Sequence, residues 1–138
     1  MIDSELVAKK LALIETFVRE LQTLAAPSAI EHDIRERRFA EHTIQIAVQA
    51  CQDVASHIVS RERLGEPVTN QQLFQLMRDA GWIEDELADT LRRAVGLRNI
   101  LVHGYSTVDA MVVRDVVENR LDDLLEFVDA VRRRLETP

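Results

Sequence analysis

Residues 37–59 read RRFAEHTIQIAVQACQDVASHIV, and this stretch decides the fold. Ile44, Val48, Cys51, Ala55 and Ile58 recur at steps of four and three, the period of a helix that buries one side. No Gly or Pro interrupts the chain from Ile30 to Leu64, and the helix is predicted over that whole span. Its first half, with Arg35, Glu36, Arg37 and Arg38, is too polar for full burial. Gly65 and Pro67 stop it, in the order usual at a helix C-terminus.

The same period spreads outward in both directions. Before it, a helix is predicted from Ser4 to Ala25, with Val7, Leu11, Ile14, Val18 and Leu21 as its seam. Leu6, Leu13, Phe17 and Leu24 widen that face, and Pro27 ends it. After it, a short helix spans Asn70 to Ala80, capped by Thr69 or Asn70 and closed by Gly81. A fourth runs from about Ile83 to Val102, with Glu84, Asp85 and Glu86 at its positive end. Ser106 to Asp109 form an S-x-x-D pattern that resembles a capping box. A last helix follows, with Val113, Val117, Leu121, Leu124, Val128, Val131 and Leu135 on one side. The fold class is therefore all-α: an up-and-down bundle of four main helices and one short one, in a single domain over residues 1–138. Such a bundle implies no function by itself.

Composition narrows the setting. The chain has 138 residues, 46% hydrophobic and 30% charged, enough for one core and too ordered in pattern for a disordered tail. No apolar run reaches the ~20 residues of a membrane span, and MIDSELVAKK at the start lacks an apolar signal core. Cys51 has no second cysteine to pair with and lies on an apolar face, so a buried thiol and a cytoplasmic setting are expected. A net charge of −7 opposes tight, non-specific binding to a nucleic-acid backbone, and DNA is not an expected partner. It leaves room for a local site built from arginines, which bind phosphate through a planar fork.

The fourth helix breaks its own pattern at one point. Leu87, Leu91, Ala94 and Leu101 make its apolar seam, and Arg98 occupies a position on it. An unpaired buried guanidinium costs several kcal/mol, roughly. Either a carboxylate faces it, with Asp53 a candidate, or the seam opens into a polar pocket; an arginine snorkelling to the rim is the plainer alternative. The residues that follow read R-N-x-x-x-H-x-Y, from Arg98 through Asn99 and His103 to Tyr105. Asn99 and His103 lie one turn apart and can share a face. Arg98 and His103 are five apart, about 140° and 7.5 Å on a regular helix. Gly104 suits a helix end, where the last turn can unwind and bring His103 round. Together these side chains offer a fixed cation, hydrogen-bond donors and an imidazole that can take up or give a proton.

RNILVHGY, residues 98–105, resembles the R-x4-H-x-Y signature of the HEPN superfamily, and of its HepT-like toxins in particular. The resemblance covers nearly the whole chain. Residues 37–59 look like that family's long second helix, including D-x-x-x-H at Asp53 and His57. LFQLMRDAGWIEDELADTLRRAVGLRN looks like its third and fourth helices, while Gly104 stands where relatives often have Glu. The resemblance implies a metal-independent, cofactor-free endoribonuclease that acts as a homodimer, its R-x4-H motifs meeting across a cleft. It also implies a partner: a minimal nucleotidyltransferase antitoxin that uses ATP to attach AMP to the motif tyrosine, here Tyr105.

The chemistry agrees with that expectation. Cleaving RNA, with 2′,3′-cyclic phosphate as the expected product, needs a base for the 2′-hydroxyl, an acid for the leaving oxygen and positive charge for the phosphorane. One protomer supplies one motif histidine; a dimer supplies two His103 side chains and two Arg98 forks. Asn99 is expected to position and Asp53 to support. AMP on Tyr105 would add bulk and negative charge beside His103.

Weaker signals read as structure. Asp53 and His57 have metal-ligand spacing but no second pair beside them, so no metal is expected. A polar stripe of Gln49 and Asp53 that orients Arg98 or His103 is the better reading. His32 and His42 are surface residues, and Trp82 is a packing anchor at a helix junction. Four Phe, one Trp and one Tyr are too few for extensive base stacking. The rival to the enzyme is a non-catalytic helical module that binds a nucleotidyltransferase, which suits the acidic charge but has no need of a histidine beside a buried arginine. A purely structural dimer leaves Arg98 unexplained.

Overall fold

Short polar side chains set where most of the helices begin. In the computed structural model, which describes residues 1–103 and 108–137, Asp3 accepts the Leu6 N–H at 3.1 Å and opens α1, Ser4–Leu24. Asp33 accepts from Arg35 N at 2.9 Å and opens α2, Ile34–Arg61. Thr69 accepts from Gln72 N and opens α3, Asn70–Asp79. Each supplies an acceptor to a donor that the first helical turn leaves unmatched. α4 spans Asp85–His103, with Asp85 and Glu86 in its first turn. Asp109, bonded to Met111 N, caps α5, Ala110–Asp115, and a wider π turn over Val116–Arg120 leads into α6, Leu121–Glu136. No strand occurs among the described residues, and the structure is all-α as expected.

α2 starts four residues later than its sequence pattern predicts. Pro27–Ala29 form a 3-10 turn, and Ile30 to Asp33 complete the reversal. The Arg37 guanidinium donates to the carbonyls of Ile30 and Glu31 at 3.2 and 2.9 Å, which ties that turn down. At the other end α2 stops at Arg61, because Arg63 takes a left-handed conformation with φ 54°.

α2 is the central helix. Its predicted seam is buried in full, and Ala40, Ala47, Ala50, Val54 and Val59 are buried on its other sides. It touches α1, α3, α4, α5 and α6. The five seam residues of α1 are each 1% exposed or less, whereas Leu6, Leu13 and Leu24, expected to widen that face, are exposed. In α4 the buried line runs Leu87, Ala88, Leu91 and Val95; Ala94 and Leu101 are only partly covered. In α6 Phe127 is fully buried and meets Phe74 of α3 edge-on, ring centres 5.8 Å apart. Trp82 anchors the α3–α4 junction as expected: it is buried, with the Arg134 guanidinium 5.0 Å above its ring.

Candidate active site

Arg98 continues the buried line of α4, three residues after Val95 and seven after Leu91. A cation at that position needs partners, and it finds them on two helices. Its Nη2 donates to Oε1 of Gln49 on α2 at 2.5 Å, and its Nη1 to Oδ1 of its neighbour Asn99 at 3.3 Å. Nε is buried and meets no acceptor among the described residues.

The expected carboxylate partner is one turn away. Asp53 does not face Arg98; its Oδ1 accepts from Nε2 of Gln49 at 2.9 Å, and its Oδ2 pairs with Lys10 of α1 at 3.2 Å. The direct partner of Arg98 is thus a neutral amide, and three helices contribute to one row: Lys10, Asp53, Gln49, Arg98 and Asn99. Of the polar stripe that the sequence suggests, Gln49 meets Arg98 and Asp53 meets Gln49. Lys10 was not evident there, although its place beside Leu11 puts it at the edge of the α1 seam, where an unlike charge on the facing helix can reach it.

His57 has a different task from Asp53. Its Nε2 accepts the backbone N–H of Asp3 at 3.0 Å, so it fastens the start of α1 to α2. His32 and His42 are exposed.

His103 is exposed at the end of α4. The helix is regular up to His103, so Arg98 and His103 keep the separation of a regular helix, about 140° and 7.5 Å. They do not share a face. Asn99, one turn before His103, lies nearer to its side. Ile100 and Val102, on the same last turns, are 48% and 40% exposed, an apolar end left outside the bundle. Gly104 and Tyr105 lie outside the described residues, as does Ser106 of the supposed capping box.

Residues 8–131 match the family described as Ribonuclease HepT-like. The chain belongs to this family. RNA cleavage is its class of reaction. Among HepT-like relatives, the protein named mRNA nuclease HepT from Shewanella oneidensis is 29% identical over 130 residues, covering 94% of this chain and 98% of the relative. The tRNA nuclease HepT of Aphanizomenon flos-aquae is 27% identical over 110 residues, 78% of this chain and 75% of its own. A solved structure of the tri-AMPylated Shewanella oneidensis HEPN toxin in complex with MNT antitoxin matches with a TM-score of 0.87 at 30% identity, covering 96% of this chain and 99% of that one. The helical bundle is therefore the HepT-like fold, and its R-x4-H stretch falls at the end of α4.

Proposed function

We propose that this chain is the toxin of a toxin–antitoxin pair, an endoribonuclease that works as a homodimer with Arg98 and His103 catalytic. The observation that carries this reading is the separation of those two residues on an unbroken helix. A single protomer turns them to different sides, whereas a two-fold pairing of α4 ends sets one protomer's Arg98 beside its partner's histidine. The exposed Ile100 and Val102 suit such an end, since apolar side chains there gain by being covered.

In that dimer one His103 takes the proton of the ribose 2′-hydroxyl, and the oxygen attacks phosphorus. The second His103 gives a proton to the 5′-oxygen as its bond to phosphorus breaks, leaving a 2′,3′-cyclic phosphate. Arg98 holds the phosphate and stabilises its added charge, with Asn99 and Asp53 in support. No metal or cofactor enters these steps. Neutralisation follows the relative crystallised in its AMPylated state with an MNT antitoxin. A nucleotidyltransferase would add AMP to Tyr105, and the attached phosphate would repel RNA from the cleft. The setting is cytoplasmic, where RNA and ATP are both at hand, and no helix among the described residues is long and apolar enough to cross a membrane.

The test is digestion of total RNA by purified protein in EDTA, wild type beside His103→Ala. Cleavage by the wild type alone, with cyclic phosphate ends, is the expected result. Cleavage by both proteins would remove His103 from the mechanism, and cleavage by neither would favour the binding module.

A further inference from the structure

The geometry points to Gln49 as a positioning residue for RNA cleavage: its amide, oriented by Asp53, which Lys10 in turn holds, fixes the guanidinium of Arg98. This rests on the reading of Arg98 as catalytic.

Three observations converge on it. First, the row is complementary in donors and acceptors. An ionised carboxylate only accepts, and a guanidinium only donates. A side chain placed between them must donate at one end and accept at the other, and an amide does both. Gln49 gives Nε2–H to Asp53 at 2.9 Å and takes Nη2–H from Arg98 at 2.5 Å. Turning the amide over would set donor against donor and acceptor against acceptor, so its neighbours leave it one orientation. Second, Asp53 makes no hydrogen bond or ion pair with Arg98 among the described residues; its carboxylate is occupied by Gln49 and by Lys10 at 3.2 Å. The hydrogen-bonded path from Asp53 to the motif therefore runs through Gln49. Third, the grip spans separate helices. Arg98 sits on the last turns of α4, beyond Val95, the last fully buried residue of that helix. Asn99, its other partner, rides on the same helix and cannot fix that helix against the bundle. Gln49 is the contact that ties the guanidinium to central α2, and Lys10 extends the tie to α1.

A guanidinium that must meet a phosphorane loses most of its benefit when it is displaced by an ångström. Holding it should therefore act on the chemical step more than on the capture of RNA.

The experiment measures initial rates on total RNA for wild type, Gln49→Leu, Arg98→Ala and the double variant Gln49→Glu with Asp53→Asn, with melting temperatures for each. In the double variant amide and acid exchange places. The carboxylate introduced on α2 in place of the Gln49 amide accepts from Arg98 and from the new amide one turn on. That amide, in place of the Asp53 carboxylate, still accepts from Lys10 through its oxygen. Gln49→Leu is expected to lower kcat by about tenfold or more while KM stays within about threefold. The exchange is expected to restore kcat to within about threefold of wild type. Wild-type kcat in Gln49→Leu, with Arg98→Ala inactive, would overturn the positioning role and leave the active site standing. A folded exchange variant as slow as Gln49→Leu would overturn it equally. If Arg98→Ala itself cleaves normally, the fault lies with the site reading beneath it. Should Gln49→Leu fail to fold, the exchange variant, which keeps every hydrogen bond, decides alone.

Discussion

Arg132 of α6 and Glu15 of α1 form a two-pronged ion pair across 117 residues of sequence, with Nη1 and Nη2 on the two carboxylate oxygens at 2.8 and 2.6 Å. The pair joins an early helix to the last one, so its effect on stability can be read directly. The Arg132 hydrogen bonds hold the Glu15 carboxyl below its ordinary 4.5. A carboxyl depressed in the folded state stabilises above its unfolded pKa and loses that contribution as pH falls through the folded value. With both side chains a third or more exposed, the effect is about 1 kcal/mol at most. Glu15→Gln should melt about 1–3 °C below wild type near neutral pH. That gap should close as the pH drops below 4.5, the ordinary value of the carboxyl. Thermal melts over that range check it; a constant gap would mean that the ion pair is not its source.

Cys51 offers a check on the core. Its thiol is fully buried in α2, and burial, with the charge of Asp53 second, pushes its pKa far above the ordinary thiol range. Thiolate is the reactive form, so the native protein should resist alkylation even at alkaline pH. Labelling by iodoacetamide should be ~100-fold slower than in urea-unfolded protein, since it must wait for opening of the helix. Rapid labelling of native protein would show that the centre of the bundle is not closed.

Gly65 is the position where the α2–α3 turn depends on having no side chain. Its φ is +145°, and a Cβ there would stand 2.8 Å from Cδ2 of Leu76 on α3. Gly65→Ala therefore meets backbone strain and a crowded neighbour together, and should cost about 1–3 kcal/mol. Urea denaturation would show the midpoint fall with the slope unchanged. An unchanged midpoint would mean that Leu76 moves aside freely.

Most of the fold was legible because a period of 3.6 reports which side of a helix is buried. All five seam residues of α1 and of α2 are buried as their spacing requires. The pattern misled where a helix departs from that period or is enclosed on several sides. Val113, Val117 and Leu121 step by four twice, which on a regular α-helix drifts about 80° off the face. The π turn over Val116–Arg120 takes up that drift, and Asp115 spans it to Asn119 at 2.8 Å and Arg120 at 3.5 Å. Phe127 escaped notice beside Val128 because α6 packs on α1, α2 and α4, so adjacent residues are both buried. The same limit governed the site. Arg98, Asn99 and His103 share one stretch and could be read together, and the spacing gave Arg98 its place on the seam. What faces it depends on the relative register of α2 and α4. That register puts Gln49 opposite Arg98 and leaves Asp53 one turn off.

Arg98→Lys tests whether charge alone is enough. The guanidinium reaches Gln49 on α2 and Asn99 on α4 at once, through two nitrogens held in one plane. Lysine keeps the positive charge but concentrates it on one freely rotating nitrogen, which cannot span both acceptors and a phosphate in a fixed fork. If Arg98 acts as proposed, the variant should still attract RNA, since a phosphate is drawn to either cation. It should stabilise the phosphorane poorly, because that needs donors already aimed at the charge as it forms. The expected outcome is a fall in kcat of ~100-fold with KM within a few-fold, and a melting temperature close to wild type. Rates on total RNA in EDTA beside a thermal melt give all three. A lysine variant with full activity would mean that position 98 contributes charge without geometry, and the hydrogen bonds that Arg98 donates to Gln49 and Asn99 would then be structural alone.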